Sequence, residues 1–138
     1  MGADVNDRLD IRNEQGQTMT EFALVLPILV VFLFGIIQFG IAFNNYVTIT
    51  DAARAGARKA AVSRQSGDPV GDCRNAVLAA VDNLNMTQPG AGVTCAYDPS
   101  MQQGSTVQVT VNYPYSINLF GIPITNGTLT SVMKEKLE

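Results

Sequence analysis

The residues of this 138-residue chain that could do chemistry are few, and their spacing narrows the choice. Gly16 and Gln17 close a polar stretch, and Glu21 stands four residues past Gln17, at the head of a long apolar run. A carboxylate in a membrane helix costs up to about 2.5–3.5 kcal/mol at mid-bilayer, and less near the interface, unless a cation meets it. Hydrolysis of the Gly16–Gln17 bond would create such a cation, the new α-amine of Gln17. Where identical helices stagger along an axis, the amine of one can neutralise Glu21 of the next, fixing register while cancelling charge. The plainer reading of Glu21 is an interfacial acid that favours a helix start through the helix dipole. Cys73 and Cys95 are the second candidates. With 21 residues between them and neither His nor a third Cys in the chain, metal and redox motifs do not fit and a disulfide does. Closing that loop contributes about 3 kcal/mol by the chain-entropy relation.

Catalysis has little to work with. The absence of His removes Ser-His and Cys-His chemistry and most zinc sites. The acids Asp51, Asp68, Asp72, Asp82 and Asp98 are scattered, and no phosphate loop or nucleophile signature accompanies them. The reading is therefore not an enzyme, with no catalytic residue, metal or cofactor. Nine basic and twelve acidic residues give a net charge of −3, which offers a nucleic-acid partner no electrostatic support.

The elements that must position these residues follow from patterning. Residues 22–50 contain no Asp, Glu, Lys or Arg, and residues 22–43 are apolar apart from Pro27, Gln38 and small residues. A helix of that length covers about 33 Å, the thickness of a bilayer's hydrocarbon core. Helix formers continue through the Ala- and Arg-rich stretch 51–62, so one helix is expected over residues 20–64, with a local kink at Pro27, and Gly67-Asp68-Pro69 as its firm stop. Residues 1–16 show no apolar period and read as unstructured or removed. A second helix is expected over residues 72–85, capped by Asp72, with Cys73, Ala76, Val77, Ala80, Val81 and Leu84 on one stripe. A short strand at 93–97 follows. Strict alternation of Val107, Val109, Val111 and Tyr113 with polar residues predicts a strand with one buried face over 106–113. Asn126-Gly127 reads as a hairpin turn. The sum is an α+β chain: a long N-terminal helix, a short helix and a small antiparallel sheet.

The apolar run is too long for a signal peptide, and the Ala53-Arg54-Ala55 cleavage pattern lies well past its end, so the segment should stay with the mature protein. The sequence from Gly16-Gln17-Thr18-Met19-Thr20-Glu21 into Phe22-Ala23-Leu24-Val25-Leu26-Pro27-Ile28-Leu29 resembles the start of a TadE-like pseudopilin of the Tad (Flp) pilus, within the type IV filament superfamily. The likeness extends through residues 35–43, the Ala/Arg-rich extension and the Val-x-Val-x-Val-x-Tyr strand. It implies a pilin-like fold, a leader (1–16) cut by a prepilin peptidase after Gly16, a helix over 17–66 and a head over 67–138. It also implies an inner-membrane stage followed by assembly into, or priming of, an extracellular filament with roles in assembly and adhesion. The implied partners are other pilin subunits, the peptidase, the inner-membrane assembly machinery and membrane lipid. The leader here is acidic where such leaders are more often basic. Lysines and arginines near the run lie mostly after it (Arg54, Arg58, Lys59, Arg64), which by the positive-inside rule alone would put the C-terminal side in the cytoplasm. Dilution by Asp51 and the cysteine pair, which favours an oxidising side, weigh for the opposite topology. The alternative is an uncut single-pass protein whose head is a binding module of an envelope complex.

Other features carry two readings each. The small residues Ala52, Ala53, Gly56, Ala57, Ala60 and Ala61 could admit a neighbouring helix or be covered by the protein's own sheet. The four basic residues suit lipid headgroups or a neighbour's acids, but more simply form a solvated helix face. Tyr97, Tyr113 and Tyr115 read as sheet positions rather than an adhesive surface. Gly35 and Gly40, five apart, are not a dimerisation motif. Asn85-Met86-Thr87 and Asn126-Gly127-Thr128 match the glycosylation pattern, a weak signal.

Overall fold

A computed structural model describes residues 5–99, 102–119 and 121–138. The elements are helix α1 (Val5–Val62), helix α2 (Pro69–Ala80) and strands β1 (Gly92–Tyr97), β2 (Thr106–Leu119) and β3 (Ile122–Lys136). The three strands form one antiparallel sheet in the order β1-β2-β3. The class is α+β, as the patterning predicts.

The chain divides into two compact units, Met1–Gln38 and Phe39–Glu138. In the first, the described residues are helical throughout, and its large apolar side chains, Phe22 and Phe32 among them, are largely exposed. The helix continues through Pro27 without a break. It also begins earlier than the patterning predicts: residues 5–16 are helical, so Gly16 lies inside α1 rather than at its start. No proline interrupts residues 5–16, and a helix already nucleated downstream extends through them without a second nucleation step.

In the second unit, one face of α1 is closed. Ile49, Ala52, Ala53, Ala57 and Ala60 recur at helical spacing and are buried. They share a core with Cys73, Val77 and Val81 of the α2 segment and with Val107, Val109, Val111 and Tyr113 of β2. The small-residue stripe is thus covered by the protein's own sheet and second helix. Because these side chains are short, sheet and helix approach closely. At Gly56 an added Cβ would collide with the Val77 side chain and come within 3.3 Å of Val109 Cγ1. Leu137 completes the core, with its N–H donating to the Ser105 carbonyl at 2.8 Å.

Three expectations need correction. Helix α2 starts at Pro69, not residue 72, and its cap is Asp68, whose carboxylate accepts from the Gly71 N–H at 2.9 Å. Proline fits the first helical position because that N–H has no helical partner, so Gly67-Asp68-Pro69 starts the second helix rather than stopping the first, which has already ended at Val62. The helix ends at Ala80, before residue 85. Beyond it Asn85 Oδ1 accepts from the Thr87 N–H at 3.1 Å, a local turn that competes with helix continuation. Asn126-Gly127 is not a turn: both residues lie within β3, paired with Ser116 and Tyr115. The positive φ needed to reverse the chain is supplied by Gly121 (φ 83°), between β2 and β3. Gly127 serves a different need. A Cβ there would lie 2.6 Å from Cε1 of Tyr115, so the absent side chain leaves room for that ring across the sheet.

Candidate processing and assembly site

Gly16, Gln17 and Glu21 are all exposed on α1. Helical spacing of four brings Gln17 and Glu21 to neighbouring positions, and Gln17 Nε2 donates to Glu21 Oε1 at 3.1 Å. Thr20 Oγ1 donates to the Gly16 carbonyl at 2.8 Å, from the residue that follows it by one turn. The carboxylate is therefore satisfied in part by a neutral amide of its own helix, while among the described residues no cation pairs with it. The ion pair found lies elsewhere, between Arg54 and Asp51 at 3.3 Å, with both side chains well exposed. Gly16 has open space around the position of a Cβ. A glycine within a helix costs about 1 kcal/mol relative to alanine, which makes this the weakest point of the local helix.

The two cysteines come together. Cys73 of α2 and Cys95 of β1 form a disulfide with Cα atoms 6.5 Å apart, joining the second helix to the edge strand. Cys73 is fully buried in the core. The same junction is tied by Tyr97, whose hydroxyl donates to the Pro69 carbonyl at 2.8 Å. Burial raises the Tyr97 pKa above its ordinary 10.0, and the negative charges of Asp72 and Asp68 add to the rise. Of the other tyrosines, Tyr113 is buried in the core and Tyr115 is half-buried against β3. Arg54, Arg58 and Lys59 form an exposed face, whereas Arg64 is half-buried and its Nε has no hydrogen-bond partner among the described residues. Among the described residues, no three Cys, Asp or Glu side chains gather as a metal site would require.

The comparison with known families falls on this helix. Residues 16–58 match the family model described as TadE-like protein. This segment is TadE-like. The match begins at Gly16 and takes in Gln17 and Glu21, the apolar run and most of the small-residue stripe, ending within α1. No curated protein and no solved structure matches the chain. The likeness is confined to residues 16–58, within α1, and does not reach the second helix or the sheet. Helix α1 over Gly16–Val62 is long and apolar enough to cross a membrane, and its apolar window is unburied by the protein itself. Together these point to membrane association.

Sequence reasoning missed two contributors to the site's surroundings. The Asp68 cap was hidden by reading Pro69 only as a breaker. The Tyr97–Pro69 bond joins positions 28 apart, and no local pattern signals it.

Proposed function

We propose that this chain is a pilin-like structural subunit of a Tad-type pilus. It is inserted in the inner membrane by α1, cut after Gly16 by a prepilin peptidase, and then passed into or under an extracellular filament. Its work there is assembly, priming or adhesion, done by packing against other pilin subunits and the assembly machinery rather than by reaction chemistry. The observation that carries the reading is that the TadE-like match starts at Gly16 itself, at the junction between polar leader and apolar run. The exposed carboxylate of Glu21 supports it, since the Gln17 amide gives it a partner but no neutralising charge. Once residues 1–16 are gone, the α-amine of Gln17 supplies that charge to a neighbouring subunit.

The test is intact mass, with and without reduction, of protein from membranes and from sheared surface material. A surface species lacking residues 1–16 and gaining two hydrogens on reduction is the expected result. A full-length species confined to membranes would favour the uncut anchor with a binding head. Glu21→Ala separates the two further: a pilin subunit keeps membrane insertion and loses assembly, whereas an anchor keeps both.

A further inference from the structure

The distal half of the β2–β3 hairpin carries no charge and shares an apolar groove with α1. Phe39, Phe43 and Tyr46 of α1, with Tyr115, Ile117 and Leu129 of the hairpin, line an open groove of about 270 Å³. Beyond the groove Ile122 and Ile124 are 64% and 60% exposed. No residue from 99 to 133 carries a charge. The charges of β3 sit at its other end, where Lys134 and Lys136 pair with Gln108 and Thr106 of β2. The hairpin is therefore polarised along its length, charged at one end and bare of charge at the other.

An exposed apolar surface of this kind marks an interaction site, and the helix identifies the partner. Phe39 and Phe43 belong to the same uncharged run, 22–50, that forms the membrane-crossing part of α1. The groove residues on the hairpin thus stand level with the turns where the run gives way to polar residues. Tyr46 and Tyr115, both facing the groove, have the amphipathic rings that favour the headgroup level of a bilayer. We propose that the distal half of the β2–β3 hairpin is seated in the membrane interface, with lipid acyl chains filling the groove. The depth is limited by backbone chemistry. An open sheet edge cannot enter hydrocarbon with its polar groups unpaired, so the hairpin lies at the headgroup boundary and not in the bilayer centre. This rests on the membrane-inserted stage of the proposed function and is independent of cleavage at Gly16 and of filament assembly.

The chain has no Trp, so a single introduced Trp reports one position. Full-length Ile122→Trp, Phe32→Trp and Val62→Trp variants would be placed in phosphatidylcholine–phosphatidylglycerol vesicles carrying a bromine or nitroxide label at a shallow or a deep acyl position. The expected result is blue-shifted emission from Ile122→Trp that the shallow label quenches more than the deep one. Phe32→Trp should be quenched by the deep label, and Val62→Trp, exposed at the far end of α1, by neither. Quenched Phe32→Trp beside unquenched, water-like emission from Ile122→Trp would overturn the hairpin proposal while leaving membrane insertion intact. Blue-shifted but unquenched Ile122→Trp would also overturn it, because the hairpin would then be covered by protein. Unquenched Phe32→Trp would remove both readings together.

Discussion

Gly56 offers the sharpest test of how the head is built, because two opposing effects act there and their sizes differ. Replacing a helical glycine by alanine is favourable by about 1 kcal/mol from propensity alone. At Gly56 the new methyl would occupy space held by the Val77 side chain and press within 3.3 Å of Val109 Cγ1. Val77 is fully buried and, being β-branched in a helix, has one strongly preferred rotamer, so it cannot swing aside. Overpacking a close-packed core costs about 1–3 kcal/mol. The cost exceeds the gain, and Gly56→Ala should destabilise by about 1 kcal/mol. For a compact unit of this size, thermal unfolding of the full chain in detergent should then fall by about 4–8 °C. Gly40→Ala is the control on the same helix: nothing lies within 4 Å of its Cβ position, and no fall is expected. The decisive measurement is the cycle with Val77→Ala. If the Val77 methyls are the obstacle, Gly56→Ala should be tolerated better in the Val77→Ala background, with a coupling of about 1–2 kcal/mol. A Gly56→Ala protein as stable as the parent, or a cycle without coupling, would refute the claim that the Val77 side chain of α2 leaves no room for a methyl at this residue of α1.

Three further outcomes follow from the junction of α2 and β1. Replacing Cys73 and Cys95 together by Ser should lower stability by about 3 kcal/mol, read as a shift in denaturant midpoint matched by reducing the parent protein. Asp68→Ala should cost about 1 kcal/mol through loss of the bond to the Gly71 N–H, and Asp68→Asn should recover most of it; circular dichroism during denaturation separates the three proteins. Tyr97 should make the head sensitive to alkali. Its folded pKa lies above the unfolded 10.0, so its contribution is whole below pH 10 and is lost as pH rises through the folded value. Tyr97→Phe should abolish that part of the alkaline loss while costing about 0.5–1.5 kcal/mol at neutral pH for the missing bond to Pro69.

What the sequence made legible was whatever a short window encodes. The alternation of Val107, Val109, Val111 and Tyr113 predicted both the strand and its buried face, because a period of two leaves one solution once one face is apolar. The long helix, the stripe through Cys73, Val77 and Val81, and the cysteine pair were legible for like reasons. Residues with two uses were not. Pro69 reads as a helix breaker yet opens α2, and only the Asp68 side chain reaching Gly71 shows which effect governs. Gly127 follows Asn126 as in a tight hairpin, yet glycine also suits a strand crossed by an aromatic ring, and Tyr115 is twelve residues away. Whether the alanine stripe met a neighbour or its own sheet turned on long-range pairing that composition does not encode.

The two halves of α1 solve different problems. Over residues 49–61 small side chains bury one face against the protein's own sheet, so that half is satisfied within one chain. Over residues 22–43 the large apolar side chains are exposed, and they require an environment that this chain alone does not provide. Lipid and a bundle of like helices would serve almost equally, because acyl chains are as apolar as leucine and the hydrophobic effect does not choose between them. On the proposed function, passage from membrane to filament must therefore be decided by something other than apolar burial. Glu21 is the acid at the apolar end of that half, and its one described partner is the neutral amide of Gln17. Removing residues 1–16 would place a cation beside that amide without altering the apolar surface. The preference for filament over lipid would then rest on a charge pair made only between chains, and this is why Glu21→Ala should stop assembly while leaving insertion untouched.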